Sequence, residues 1–457
     1  FFRRGFMYTA QNSGQLEFFD NLFMPVPIKK EHPIIKMADS IDWDSLCDNL
    51  SKFYCNDNGR PTKSTRAKIG LLLLRHYEKI SDEQVVDRLE RDIYYQYLCG
   101  LNMHEAQDFI EPSSLTHFRN KIGMEGVKII EEAVRAVVKK SIAKKGGPKN
   151  REITVDTTVT ASPICYPTDV NLLNTCREKS VDAIKKAEKT GRIKKKARTR
   201  KRKGRKTFIE FHKFGRKSKQ ARKKTQKKLL GFAKRNLRQL QDHIEEMESS
   251  AEPLTAQEMK ILKKLEETAE RSAPILEQQA ELLQGKKVKD RIVSFHNQNV
   301  RPMVRGKYPQ TTEFGEKLLL VEYEGFLELA DSSSDNVSDS KWLEPALDFV
   351  EEHYGFQVEG VGADRGFHGK VSKECCERHN VSRYGVQRKG RPPKNKPEPK
   401  PWEERLRRRR CGIEARISLA KRKYGLDRSG YRIEGGGEIW VRLGLCAMNL
   451  KRALMAS

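Results

Sequence analysis

A single β-forming segment near residue 150 is followed by a long helical, charge-rich stretch before β-forming segments return. The segment REITVDTTVTAS, residues 151–162, is rich in β-branched residues and predicts a strand. The next β-forming runs begin only after residue 290. Strands separated in this way can share one sheet only if the chain between them is an insertion. We therefore predict a discontinuous α/β domain with a mixed sheet.

The later segments alternate between strand and helix patterns. Residues 316–331, EKLLLVEYEGFLELAD, predict a β-hairpin that turns at Glu324 and Gly325. Residues 341–355 predict an amphipathic helix closed by Gly355. VEGVGADRGF predicts a buried strand that ends on Asp364, and VSRYGVQRKG predicts another short strand. This order is typical of an α/β sheet domain.

Residues 1–150 predict a compact helical domain. SDEQVVDRLERDIYYQYLCGL opens with a capping box formed by Ser81 and Gln84. Further on, EPSSLTHFRNKIG predicts a helix that stops at Gly123. Its segment SLTHFRNK resembles the recognition part of a helix-turn-helix reader of DNA, because several of its side chains can reach base edges or phosphates. These are Ser114, Thr116, His117, Arg119 and Asn120. An ordinary helical bundle with a solvated face remains an equal alternative.

The predicted insertion, residues 171–289, has a basic part and a heptad-patterned part. In residues 192–206, RIKKKARTRKRKGRK, eleven of fifteen residues are Lys or Arg. Such a block predicts a solvated or disordered arm unless it lies on phosphates. Beyond it, apolar residues recur three and four apart on both sides of Pro253, which predicts an antiparallel coiled-coil hairpin. They are Leu230, Ala233, Leu237, Leu240, Ile244 and Met247, then Leu262, Leu265, Ala269, Ser272, Leu276 and Leu283.

The charge balance indicates a polyanionic partner. The chain has 90 Lys and Arg against 62 Asp and Glu, a formal net charge of +28. Nucleic acid is favoured over a membrane surface, because no apolar run approaches the ~18 residues needed for a spanning helix. The nine cysteines contain no CxxC pair and the ten histidines no HExxH motif, so a zinc site has little support. We expect an intracellular protein.

Two strand aspartates and one helical glutamate are the candidate catalytic residues. A desolvated, unpaired carboxylate in a strand costs several kcal/mol, so Asp156 and Asp364 need a cation or the sheet edge. A salt bridge from Arg365 and a capped strand end are the structural alternatives. In RRRRCGIEARISLAKRKYG, Arg410, Glu414 and Lys421 share one helix face. Surface ion pairs explain that spacing equally well, but three carboxylates also suit two Mg²⁺ ions about 3.5 to 4 Å apart.

Several motifs in this order resemble the DDE transposases of bacterial insertion sequences, in the group of insertion sequence five. The resemblance covers most of the chain. It rests on VDTTV around Asp156, VRPMVRGKYPQTTEFGEKL from Val300 to Leu318, GADRGF around Asp364, KGRPP, the helix with Arg410, Glu414 and Lys421, and the closing segment EIWVRLGLCAMNLKR. The fuller family signature has a tyrosine where this chain has Arg407, which places that tyrosine's role in doubt.

The resemblance implies a ribonuclease-H-like catalytic domain with Asp156, Asp364 and Glu414 as its metal-binding triad. It implies two Mg²⁺ ions, with Mn²⁺ as a substitute, and contact of Arg410 and Lys421 with DNA. The implied reaction is cleavage of the element ends by metal-activated water, followed by attack of the 3′ hydroxyl on target DNA. We predict further DNA contacts by Arg365, Arg301, Arg305, Lys307, Arg119, Lys194, Lys195, Arg198, Arg200, Lys201 and Arg202.

The predicted organisation is an α/β chain with four parts. An N-terminal helical domain for binding DNA ends covers 1–150, the first catalytic strand 151–170, the basic arm and coiled-coil insertion 171–289, and the rest of the catalytic domain 290–457. Its partners would be the terminal inverted repeats and target DNA, held by a homodimer in a prokaryotic cytoplasm, near the nucleoid. Two alternatives stay open: an inactive, transposase-derived DNA-binding protein, and a structure-selective nuclease of the same fold.

Overall fold

The computed structural model describes residues 28–55, 62–147, 150–164, 168–213, 215, 218–250, 252–304, 312–335, 337–388, 390, 398–432 and 435–455. They fall into two compact units. The first is bounded by Phe1–Pro163 together with Glu316–Ser457, and the second by Ile164–Gly315. The described residues contain no helix whose length and hydrophobicity would let it span a lipid bilayer.

The elements alternate in the order that the sequence indicates. The helices before the first strand are α1 (Pro33–Ser40), α2 (Trp43–Ser51), α3 (Thr65–Glu78), α4 (Asp82–Leu89), α5 (Ile93–Cys99), α6 (Met103–Ala106) and α7 (Pro112–Lys144). The helices of the second unit are α8 (Asp169–Glu188), α9 (Lys201–His212), α10 (Lys219–Glu248) and α11 (Ala256–Leu283). The later helices are α12 (Leu343–Tyr354), α13 (Lys370–Arg378), α14 (Pro401–Tyr424) and α15 (Gly436–Met455). The strands are β1 (Glu152–Ala161), β2 (Arg301–Val304), β3 (Thr312–Tyr323), β4 (Phe326–Ser333), β5 (Gly360–Ala363) and β6 (Arg383–Tyr384).

The N-terminal part of the first unit is helical, as predicted. The hydroxyl of Ser81 accepts a hydrogen bond from the backbone of Gln84, whose side chain accepts one from the backbone of Ser81, so the predicted capping box is confirmed. The predicted stop at Gly123 is a break within α7, because this glycine has a φ of 56°. The α3 helix is buried almost all round, which explains its continuous run of leucines.

A mixed sheet forms the centre of the first unit. Its strands lie in the order β4–β3–β1–β5–β6. The β1, β5 and β6 strands are parallel, whereas β3 and β4 form an antiparallel hairpin. The hairpin turns at Glu324 and Gly325, as predicted, and both have positive φ values, 47° and 90°. The predicted mixed α/β class is therefore confirmed for this unit.

The second unit is a bundle of helices with a short strand pair. The predicted heptad helices are present as α10 and α11, and the hydroxyl of Thr255 caps α11. A third helix, α8, packs against both of them, so its Leu173 and Ile184 share their cores. The apolar residues of α10 and α11 thus pack in a three-helix arrangement with α8, whereas the sequence predicted a two-helix hairpin. The β2 strand pairs with the first residues of β3, Thr312–Gly315.

Candidate carboxylate site on the sheet

The register of the sheet places the two predicted aspartates side by side. Val155 of β1 lies opposite Ala363 of β5 in the parallel ladder. Asp156 and Asp364 are the next residues on the two strands, and Asp364 follows directly after β5 ends. This parallel register brings Asp364, the exposed residue after the end of β5, level with the half-buried Asp156 in the middle of β1.

The α14 helix brings Glu414 to these aspartates. Its first residue is Pro401, at a position where the backbone N–H has no partner within the helix. Gly425, in the left-handed region, caps its C-terminal end. Glu152, a fully buried residue at the start of β1, forms ion pairs with Arg405 and Arg409 of this helix. Arg383 of β6 donates to the same carboxylate over 2.8 Å. This ion-pair network attaches α14 to the central strands.

One arginine lies among the three carboxylates. The Nη1 atom of Arg410 is 2.8 Å from Oε1 of Glu414 and 3.5 Å from Oδ1 of Asp364. Burial, together with the charges of Asp364 and Glu414, raises the pKa of Asp156 to about 6, although the backbone N–H of Thr157 and the cation of Arg410 act in the opposite direction. The structure therefore brings the predicted triad into one electrostatic cluster in which Asp156 carries the strongest desolvation.

The three carboxylates are the type of ligand that a hard cation prefers, but their side chains are not spaced to hold one in this structure. Carboxylate oxygens are the ligands that Mg²⁺ and Mn²⁺ prefer. Among the described residues, however, no group of three or more His, Cys, Asp or Glu side chains is spaced to hold a metal ion. In this conformation the cation between Asp364 and Glu414 is the guanidinium of Arg410.

A fourth carboxylate lies beside this cluster and was missed by the sequence reasoning. Oδ1 of Asp339 accepts hydrogen bonds from the hydroxyl of Thr157, over 3.1 Å, and from Nζ of Lys317, over 2.6 Å. Asp339 also packs against Gly366, where a Cβ would meet its Oδ2 at 2.3 Å. Asp339 thus joins the residue after Asp156 to the turn after Asp364. Its segment, SSSDNVSDS, reads as an ordinary polar loop, so the sequence carries no signal for this contact.

The other residues predicted to contact DNA differ in their burial and in their hydrogen-bond partners. Nζ of Lys421 donates to the backbone carbonyl of Val159 in β1 and is half-buried. The exposed Arg365 donates to the side chain of Gln387, and does not pair with Asp364 through its guanidinium. Arg301 lies in the second unit and donates to the backbone carbonyl of Val300. Arg305 and Lys307 lie outside the described residues.

Arg119 is not on an accessible surface. Its side chain is 4% exposed and its Nη2 atom lies 2.6 Å from Oδ2 of Asp82. The guanidinium also stacks over the ring of Tyr431 at 4.1 Å. This arginine therefore holds helices together, and the predicted DNA contact has no support from its position. The exposed members of the predicted recognition segment are His117 and Asn120.

The basic segment 192–206 is attached to the second unit instead of forming a disordered arm. Arg192 forms an ion pair with Glu258 over 2.8 Å, and Ile193 is buried in the helical core. From residue 201 onward the segment is the helix α9. The predicted contacts Lys194, Lys195, Arg198, Lys201 and Arg202 are all exposed, while Arg200 is half-buried. In the structure these cations face solvent, and the segment that carries them is packed as a loop and a helix of the second unit.

Residues 26–121 match the model of a family described as a transposase domain (DUF772). The chain is also 30% identical to an uncharacterized protein, ORF8 in the nfe locus of Rhizobium meliloti, over 166 residues that span 36% of this chain and 78% of that protein. No solved structure matches the chain. The chain belongs to the transposase family that this domain defines.

Proposed function

We propose that this protein is a DDE-type transposase of an insertion sequence, resembling the insertion-sequence-five group, with Asp156, Asp364 and Glu414 as its catalytic carboxylates. The observation that carries the proposal is their convergence. Asp156 on β1 shares one electrostatic cluster with Arg410 and with two residues more than 200 positions later, Asp364 after β5 and Glu414 on α14. A mixed sheet with a hairpin on one side of β1 and two parallel strands on the other supports a ribonuclease-H-like fold.

Divalent cations would be held by these three carboxylates. Mg²⁺ or Mn²⁺, two per site, would supply a nucleophilic hydroxide at neutral pH and stabilise the leaving 3′ oxygen. Arg410 is the residue that must give way, since it now lies between Asp364 and Glu414. A DNA phosphate is a suitable new partner for its guanidinium. Asp156, the most buried of the three, would be held in its ionised form by the bound cation.

The substrate of the proposed reaction is duplex DNA. The terminal inverted repeats would be bound by the N-terminal helices and by the exposed lysines and arginines of segment 192–206. After hydrolysis of one strand at each end, the free 3′ hydroxyl would attack target DNA. Handling two ends at once requires at least two copies of the chain, so we propose a homodimer in the synaptic complex, in the cytoplasm near the nucleoid.

Strand transfer on a labelled duplex that carries the element's terminal repeat, with Mg²⁺, tests the proposal. We expect joined products with the wild type and none with Asp364→Ala. A matched control is Asp348→Asn, because Asp348 is an exposed carboxylate on α12 away from the cluster. Cleavage without joining would identify a structure-selective nuclease. Binding without either reaction would identify an inactive, transposase-derived DNA-binding protein.

A further inference from the structure

The positive charge of this protein is concentrated in one part of the second unit. Residues 192–238 contain 23 Lys and Arg and one acidic residue, Glu210, so they account for +22 of the chain's net charge of +28. The basic segment 192–206 supplies eleven of these cations. The first two-thirds of α10 supply nine more, and these are separate from the contacts proposed above.

The nine cations of α10 all face solvent. Its apolar residues Leu229, Leu230 and Ala233 are buried in the helical core, which turns the basic residues outward. The exposed cations are Lys219, Arg222, Lys223, Lys224, Lys227, Lys228, Lys234, Arg235 and Arg238. Within the part of the chain that the structure describes, no carboxylate forms an ion pair with any of them. We call these nine residues the α10 basic face.

The distribution of charged residues along α10 is the reverse of the one that the helix dipole favours. An α-helix favours acidic residues in its first turn and basic residues in its last turn. The first turn of α10 has no acidic residue and its last turn no basic one. The acidic residues lie at the end instead, among them Glu245, Glu246 and Glu248. The α10 basic face therefore does not serve the stability of its own helix, which points to an external polyanion.

We infer that the α10 basic face binds the phosphate backbone of duplex DNA without regard to sequence. Twenty residues of helix span about 30 Å, close to one turn of the duplex at about 34 Å. A membrane surface is disfavoured because, among the described residues, no large exposed hydrophobic residue lies on α10. Single strands are disfavoured too, since the phenylalanine of α10, Phe232, packs against the helical core and is not free to stack on bases. The inference rests on the proposed function for its choice of DNA.

The test measures binding to a random-sequence duplex of 30 base pairs at several salt concentrations, without divalent cation. The test variant of the full chain replaces Lys223, Lys224 and Lys227 by Gln. The matched control replaces Lys260, Lys263 and Lys264, three exposed lysines of α11 that lie among acidic residues, by Gln. Both variants lose three charges from the same unit, so net charge alone cannot separate them.

We expect the test variant to bind on the order of 100-fold more weakly at 0.1 M salt, with a salt slope shallower by about 2 to 3. The control should bind like the wild type. Replacing Lys223, Lys224 and Lys227 by Arg should preserve binding. Thermal unfolding of the Gln variant should not shift downward, since it removes cations that have no ion-pair partner among the described residues.

Equal weakening by the test and control variants would overturn the inference, as would no weakening by either. A greater loss for single-stranded DNA or RNA than for the duplex would also overturn it. The outcome is independent of the proposed chemistry. If Asp364→Ala joined strands as well as the wild type, the catalytic proposal would fail while the salt slopes would still report on the α10 basic face.

Discussion

The Nη1 atom of Arg410 lies 2.8 Å from Oε1 of Glu414, one turn further along α14. The same nitrogen lies 3.5 Å from Oδ1 of Asp364, so one guanidinium offsets the charge of two carboxylates from different elements. It also acts on Asp156, whose pKa would rise further without this cation. Arg410 is therefore the counterion of the whole cluster.

Replacing Arg410 by Ala should destabilise the protein only in the absence of divalent cations. In EDTA, we expect the free energy of unfolding to fall by about 1 kcal/mol or less, as for other partly exposed ion pairs. Adding Mn²⁺ should stabilise this variant more than the wild type, because a ligand that binds only the folded state shifts the unfolding equilibrium. Urea unfolding in EDTA and in Mn²⁺ measures both effects.

Arg408→Ala is the matched control for this experiment. Arg408 lies on the same helix and pairs with Glu404 at the same spacing of four residues, and among the described residues it forms no ion pair with Asp364 or Glu414. We expect Mn²⁺ to change its stability no more than that of the wild type. An equal gain for both variants would mean that Arg410 does not compete with the cation, and no gain for either would mean that the carboxylate cluster is not a cation site.

Glu152→Gln should be among the more destabilising single changes in the first unit. The Glu152 side chain is fully buried and interacts with Arg383, Arg405 and Arg409. The change takes the shared carboxylate charge away from three arginines whose side chains are 25–40% exposed, which should cost about 1–3 kcal/mol. Because the network attaches α14 to β1, we also expect loss of any activity that needs Glu414. Chemical denaturation at pH 7 measures the stability change.

Glu359→Gln provides the comparison, since Glu359 pairs with the same Arg383 over 3.4 Å but is 46% exposed. It should cost less than about 1 kcal/mol. Burial opposes ionisation of Glu152, but hydrogen bonds from Arg405 and Arg383 outweigh it and lower its pKa below 4.5. The stability it contributes is therefore present above pH 4.5 and lost as pH falls through the lower, folded pKa. A Glu152→Gln deficit that persisted undiminished at lower pH would contradict this account.

Local sequence signals predict the elements of this protein well. The strand over 151–162, the turn at Glu324 and Gly325, and the helix end at Gly355 each follow from residue types that favour one backbone conformation. Asp156 and Asp364 also stand out locally, since each carboxylate interrupts an apolar run. Glu414 follows from helical spacing. Local rules were sufficient wherever the deciding interaction lies within about one helical turn or one strand.

Interactions between distant elements were not predictable in the same way. The guanidinium of Arg119 could bind a DNA phosphate or a carboxylate equally well. Its pairing with Asp82 is determined by how the helices pack. The contact of Asp339 with Thr157 joins residues 182 positions apart. The third helix of the second unit, α8, has an apolar stripe whose partners the sequence does not identify. Such partners depend on the tertiary arrangement, which no local pattern encodes.

Glu316→Gln should make the protein more stable at neutral and alkaline pH. Burial and the charge of Glu438 raise the pKa of Glu316 from 4.5 to about 7, and its Oε2 has no hydrogen-bond partner among the described residues. Between pH 4.5 and about 7, Glu316 therefore stays protonated in the folded protein but is ionised in the unfolded chain. The stability from this protonation is present below pH 4.5 and is lost as pH rises to about 7. At pH 8 the variant should gain about 1–3 kcal/mol over the wild type.

The free energy of unfolding, measured from pH 5 to pH 8, checks this expectation. The difference between Glu316→Gln and the wild type should grow with pH over that range. Glu377→Gln, which changes an exposed glutamate on α13, should track the wild type throughout. A constant difference between Glu316→Gln and the wild type would show that Glu316 does not titrate between these pH values.

Gly425→Ala should destabilise the protein more than Gly355→Ala, although both glycines end a helix in the left-handed region. Their φ values are 78° and 72°, so alanine should cost about 1–2 kcal/mol at either position. A Cβ at Gly425 would also lie 2.8 Å from the Trp440 ring, whereas at Gly355 it would meet nothing within 4 Å. The crowding should add about 1–3 kcal/mol. Urea denaturation of the two variants isolates this added cost, and equal losses would mean that Trp440 moves aside freely, despite the 2.6 Å hydrogen bond from its Nε1 to the carbonyl of Gly425.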